Sequence, residues 1–146
     1  MKNRRINLML FAGYCALMVW LLFGRPQHDA AQSAENFNPI PFETISRFWL
    51  VLVGDYGPGL KRHAVINLVG NVIMFVPLGY FTALLWRIFR PLWRCALLGG
   101  GIIVCVELIQ FLTRVGSCDF DDLLLNVIGI CMGYGIYRMM TRKKCS

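Results

Sequence analysis

The chain has 146 residues, 57% of them apolar and 16% charged, with a formal net charge of +7. A soluble domain averages about 45–50% apolar and about 25% charged, so one core in water cannot absorb this composition, and the mean hydropathy of +0.56 agrees. The aromatic and aliphatic content excludes disorder, and six cysteines set far apart with no C-x-x-C pair argue against a disulfide-stapled module, which leaves a small integral membrane protein with basic membrane flanks.

Crossing the hydrocarbon of a bilayer takes roughly 17–25 helical residues. The first such stretch is Ile6–Phe23, after a basic start at Lys2, Arg4 and Arg5. Its apolar run is longer than a signal peptide's, and it ends in Gly24-Arg25-Pro26-Gln27 without an A-x-A site. An uncleaved anchor is therefore the expected reading. A polar segment, Pro26–Asn38, follows. After Pro39 and Pro41, the residues Phe42, Ile45, Phe48, Trp49, Leu52 and Val53 keep helical spacing, with Glu43, Thr44 and Arg47 between them. That pattern predicts a short amphipathic helix in the membrane interface, either capping the bundle or touching lipid head groups. Gly54, Gly57, Pro58 and Gly59 end it.

The second span, Ala64–Trp86, contains no charged residue. The third, Cys95–Thr113, contains one, Glu107. The fourth, Leu123–Met140, carries Arg138 close enough to its end to snorkel. Lipid offers bare backbone no hydrogen bonds, so the spans must be helices, and the alternation of a barrel is absent. The expectation is an all-α polytopic membrane protein: four transmembrane helices, with an extracytoplasmic amphipathic helix between helices 1 and 2.

Charge gives the orientation. With the N-terminus inside, the inner segments hold Lys2, Arg4, Arg5, Arg87, Arg90, Arg94, Arg138, Arg142, Lys143 and Lys144, and no acid. All eight acids, Asp29, Glu35, Glu43, Asp55, Glu107, Asp119, Asp121 and Asp122, fall outside or in the outer half of a span. The positive-inside rule then predicts both termini in the cytoplasm. The basic residues are spread over three membrane flanks with no patch, so no nucleic-acid role is expected.

Polar side chains within a span are costly and need a partner or a task. Here they gather at one depth. Asn67 and Asn71 are four apart on the second helix; Glu107, Gln110 and Arg114 are spaced three and then four on the third; Asp122 and Asn126 are four apart on the fourth. Each set shares a helical face, and all lie within about 10–12 Å of the outer boundary. Gly129-x-x-x-Gly133 shares the face of Asn126 and marks a close helix contact, with Gly99, Gly100 and Gly101 as a second candidate. Pro77 is expected to kink the second helix. Cys15, Cys95, Cys105 and Cys131 are expected to be buried hydrophobes, and Trp20, Trp86 and Trp93 to form aromatic belts.

Three motifs then line up in order. Asn38-Pro39-Ile40-Pro41-Phe42, followed by Thr44-Ile45, resembles the N-x-I-P-F segment of VanZ-like membrane proteins. Asn67-Leu68-Val69-Gly70-Asn71 with Met74-Phe75-Val76-Pro77-Leu78-Gly79 is similar to their N-x-x-G-N-x-x-x-F-x-P-x-G motif. Glu107 and Gln110, Arg114, Asp119 and Asp122, then Asn126 and Gly129, resemble their E-x-x-Q…R…D-x-x-D-x-x-x-N-x-x-G run. The resemblance covers roughly residues 38–137 and implies one VanZ-like membrane domain over 1–146. The family's namesake is associated with resistance to the lipoglycopeptide teicoplanin. The resemblance thus implies a place in the bacterial cytoplasmic membrane near envelope precursors, but no settled reaction.

The residues themselves leave the chemistry open. Asn67, Asn71, Glu107, Gln110, Arg114, Asp119, Asp122 and Asn126 either hold the bundle together or line an outward-opening polar pocket. Glu107 and Asp122 make an acid/base pair in principle, but among hydroxyls only Thr113 and Ser117 fall on these faces, and Cys105 sits in apolar surroundings unsuited to a thiolate. Oxygen-only ligation by Glu107, Asp119 and Asp122 would suit Mg²⁺ or Ca²⁺, yet zinc-type spacings are absent, and no metal or cofactor is expected. Arg114 is able to grip a phosphate or carboxylate, while Asp119, Asp121 and Asp122 oppose an anion and suit hydroxyls, amides or amines. The expected ligand is the head group of an envelope lipid or an acylated glycopeptide. Transport is disfavoured, because the inner half of each span lacks a polar path. The sequence sets no oligomeric state.

Overall fold

The structure is a computed structural model that describes residues 2–24, 37–38, 40–113 and 118–142. The polar segment at 25–36, Pro39, Arg114, Ser117 and residues 143–146 lie outside the described residues. The elements in chain order are α1 (Lys2–Phe23), β1 (Phe37–Asn38), α2 (Glu43–Val53), α3 (Pro58–Leu85), a 3₁₀ turn (Arg87–Phe89), α4 (Leu92–Thr113), β2 (Cys118–Asp119) and α5 (Phe120–Arg142). The fold is all-α, with α1, α3, α4 and α5 long and apolar enough to cross a membrane. The two short strands form one parallel bridge, Phe37 opposite Cys118 and Asn38 opposite Asp119.

Helix boundaries follow local chemistry. α3 begins at Pro58, six residues before the uncharged run, because Pro at the first helical position gives up an N–H that has no partner there anyway. It therefore carries Lys61, Arg62 and His63 within its first two turns. The helix continues through Pro77 to Leu85. Pro91 then sets the start of α4, its carbonyl accepting from the N–H groups of Arg94 and Cys95. The predicted amphipathic segment forms α2, which buries none of its residues and leaves Trp49, Leu50 and Val53 exposed.

α3 is the central helix, packed chiefly on α5 and also on α1, α2 and α4. In lipid, burying a leucine gains little over leaving it among acyl chains, so close backbone approach decides which helices pair. A β-carbon at Gly133 would collide with the Val76 carbonyl, one at Gly129 with that of Val72, and one at Gly79 with that of Ile130. These contacts fix α3 and α5 in parallel register. Gly99 joins α4 to the same seam through the Ile130 side chain, whereas Gly100 and Gly101 face open space. The core consists of Met18, Phe75, Leu78, Cys95, Ile103 and Ile130. Of the four expected buried cysteines, only Cys95 is fully buried; Cys15 and Cys131 are half-buried and Cys105 is exposed. Cys105 lies on the apolar outer face of α4, together with Leu97, Leu108 and Leu112. That periphery carries the same apolar signal as the core, so hydropathy alone did not separate them.

α1 is attached differently. Met18 is its one buried residue among those described. The Tyr14 hydroxyl donates to the Met74 carbonyl on α3 at 2.9 Å, and Phe11 packs against Phe81 and edge-on to Trp86.

Candidate functional site

At the acidic end of the bundle, the head of α5 organises three segments distant in sequence. β2 runs beside β1, which brings Asp119 and Asp121 to the start of α2. Asp121 is fully buried. Its carboxylate accepts from the backbone N–H of Phe42 at 2.6 Å and of Ile45 at 3.0 Å. It thus caps α2 from another helix, filling the role that an N-cap side chain normally takes. Asp119 takes the Thr44 hydroxyl on one oxygen at 2.5 Å and the Asp121 N–H on the other at 2.9 Å. Asn38 completes this belt, its amide donating to Thr44 Oγ1 at 3.3 Å and its Oδ1 accepting from the Ile40 N–H at 3.1 Å.

One layer deeper lies a second polar group. Asn71 of α3 donates to Asp122 Oδ1 of α5 at 2.5 Å. Glu107 projects from α4 toward the same place and lies within Coulombic range of Asp122 and Asp119. Glu107 is 8% exposed and Asn126 is 4% exposed. Asn126 sits on the face of α5 between Asp122, which bonds Asn71, and Gly129, which packs on Val72. Helices α3, α4 and α5 therefore bring Asn71, Glu107 and Asp122 into one cluster, with Asn126 one helical turn beyond Asp122 on α5. Among the described residues, three acceptors in or beside it, Glu107 Oε2, Asn126 Oδ1 and Asn67 Oδ1, are buried without a hydrogen-bond partner.

Electrostatically the region is one-sided. Asp119, Asp121, Asp122 and Glu107 approach one another, and among the described residues the single ion pair is the exposed Arg47–Glu43 contact at 2.9 Å on α2. No group of three or more His, Cys, Asp or Glu among the described residues is arranged to hold a metal ion. Such an array of acceptors suits a partner that brings N–H or O–H groups.

Gln110 turns to α1, its amide donating to the Leu22 carbonyl at 3.1 Å. That carbonyl is in the last turn of α1, where no intrahelical partner exists. Thr113 spends its hydroxyl on the carbonyls of Ile109 and Gln110. Arg114 falls outside the described residues. Conversely, Asp121 and Thr44 are functional in building the belt although spacing gave no sign of either; only the motif Asn38–Ile45 hinted at Thr44.

In comparison with known proteins, the family described as VanZ/LLP1 matches residues 11–141. No curated protein and no solved structure matches the chain.

Proposed function

The chain belongs to the VanZ/LLP1 family, and on that premise we propose that it is a binding protein of the bacterial cytoplasmic membrane, with both termini cytoplasmic and its acidic end outside. The orientation rests on the positive-inside rule, which the basic flanks of α1, α3, α4 and α5 satisfy together. In this reading Asn67, Asn71, Glu107, Asp122 and Asn126 receive the head group of an envelope lipid or an acylated glycopeptide from the outer leaflet. Retention of such a ligand alters susceptibility to glycopeptides of the teicoplanin kind.

One observation carries the proposal: among the described residues, three acceptors, one each on α3, α4 and α5, are buried with no donor. Each such atom costs about 1–3 kcal/mol. A ligand rich in hydroxyl, amide or amine groups removes that cost, and apolar packing would not. The belt of Asp119, Thr44 and Asp121 supports the cluster from outside and holds α2 at its rim.

The test uses the full chain in phosphatidylcholine nanodiscs, titrated with teicoplanin and with a polyprenyl-linked disaccharide peptide. Wild type binds at least one of them, and Asn71→Ala, Glu107→Gln and Asp122→Asn each weaken it about tenfold or more with unchanged helix content. Equal binding by all folded variants overturns the proposal. Mass analysis of the recovered ligand separates binding from catalysis, since cleavage would assign Glu107 and Asp122 acid/base roles.

A further inference from the structure

The opposite end of the molecule carries a second polar feature, unconnected with the acidic cluster. An open cleft of about 270 Å³ lies where the start of α1 meets the end of α3 and the 3₁₀ turn. Arg4, Asn7, Leu84, Leu85, Arg87 and Arg90 line it. Three arginines from two separate chain segments thus border one concavity. The described acids in the helical bundle all belong to the other end or to α2 and its following turn, and none of these arginines has an ion pair among the described residues. Neighbouring cations are engaged otherwise: Arg94 donates to the Ile88 carbonyl and lies 4.9 Å from the Trp93 ring centroid.

Two features place this cleft at head-group depth. Trp86 and Trp93 flank the turn and are both exposed, as expected of aromatics at a membrane interface. Leu84 and Leu85, half-buried and buried at the end of α3, supply its apolar lining. The volume is below the roughly 300–1,000 Å³ of sites for drug-sized ligands and suits a phosphate with part of its glycerol. Planar guanidinium forks match phosphate oxygens in pairs, and basic pockets between transmembrane helices are a recurrent means of holding anionic lipid head groups.

We propose that the Arg4–Arg87–Arg90 cleft is a binding site for the phosphodiester of an anionic membrane lipid, tying the otherwise lightly packed α1 to α3. The shared chemistry is a phosphate oxyanion, and a free phosphate would satisfy the same forks without the acyl anchor.

The test measures thermal stability and lipid retention of the full chain in neutral detergent. Phosphatidylglycerol is added in one arm, phosphatidylcholine in a second and inorganic phosphate in a third. Stabilisation by phosphatidylglycerol alone is expected, and each of Arg4→Gln, Arg87→Gln and Arg90→Gln weakens its binding about fivefold. Asn7→Trp, which fills the cleft without changing charge, removes binding, while Arg94→Gln with Arg138→Gln leaves it intact. Equal stabilisation by phosphate assigns the site to the free anion and overturns the lipid. Equal loss in the Arg94/Arg138 variant, or retention in Asn7→Trp, shows diffuse surface attraction and overturns the cleft. All of the substituted side chains except Asn7 are exposed, and folding of each variant is read from its stability without lipid.

Discussion

The backbone N–H of Phe42 donates to Asp121 Oδ1 at 2.6 Å, across 79 residues of chain. Phe42 has a left-handed backbone at φ 66°, a conformation that costs a non-glycine residue about 1–2 kcal/mol. The buried carboxylate holds it there by taking this N–H together with that of Ile45. The first turn of the amphipathic helix is thereby bonded to the Asp121 side chain of α5, and Trp49, Leu50 and Val53 of α2 stay exposed.

Removing that cap is expected to release α2 and leave the four-helix bundle in place. Asp121→Ala should lower stability by about 2 kcal/mol, since bonds to a charged acceptor contribute about 1.5–3 kcal/mol. Hydrogen exchange is the discriminating measurement: the Phe42 and Ile45 amides lose protection, and the amides of α3 do not. Asp121→Asn, which keeps one acceptor, should fall between the two.

The seam between α3 and α5 predicts a sharp contrast between two glycines of one helix. Gly133→Ala drives a methyl into the Val76 carbonyl and should cost about 3 kcal/mol, as backbone has less room to yield than a side chain. Gly135→Ala meets nothing within 4 Å and should be neutral or stabilising by up to about 1 kcal/mol. Thermal unfolding in detergent measures both.

Among the described residues, α1 is held by two polar tethers at different heights. Gln110→Leu leaves the Leu22 carbonyl without its donor, and Tyr14→Phe frees the Met74 carbonyl. Each should cost about 0.6 kcal/mol, the mean for hydrogen bonds between membrane helices. Amide exchange in the last turn of α1 should rise in Gln110→Leu and stay near wild type in Tyr14→Phe.

The contact between Asn71 and Asp122 predicts an ordered series. Asn71→Ala strips Asp122 of its donor and should destabilise the bundle by about 1–3 kcal/mol. Asn71→Asp adds a fifth carboxylate to an already one-sided group and should destabilise it more. Pairing Asn71→Ala with Asp122→Ala in one chain should recover part of the loss, which a double-mutant cycle reads directly.

Much of this architecture was legible in the sequence because membrane helices announce themselves by length and apolarity. The four spans and α2 appear where hydropathy and spacing put them, and Gly129-x-x-x-Gly133 packs as its motif suggests. Asn71 and Asp122 bond across α3 and α5 on the faces that four-residue spacing picks out. Gln110 shows where that logic weakens. Three residues on from Glu107 it is rotated by about 60°, enough to aim at α1. Asp121 and Thr44 escaped the spacing for another reason: their partners lie 75–79 residues away in the chain, and periodicity carries no information on which loops touch. Even the apolar faces were ambiguous, since lipid-facing and core-facing residues such as Cys105 and Cys95 look alike in a membrane protein.

The central claim is that the acceptors around Glu107 hold the head group of a ligand. Solid-state NMR of the full chain in bilayers, with labelled Glu and Asn side chains and a labelled polyprenyl-linked glycopeptide or teicoplanin, reads that contact directly. Cross-peaks from the Glu107 carboxyl and the Asn126 amide to sugar or peptide carbons of the ligand are the predicted result. A Glu107 carboxyl that correlates only with acyl chains, or with protein atoms unchanged by saturating ligand, would contradict the account.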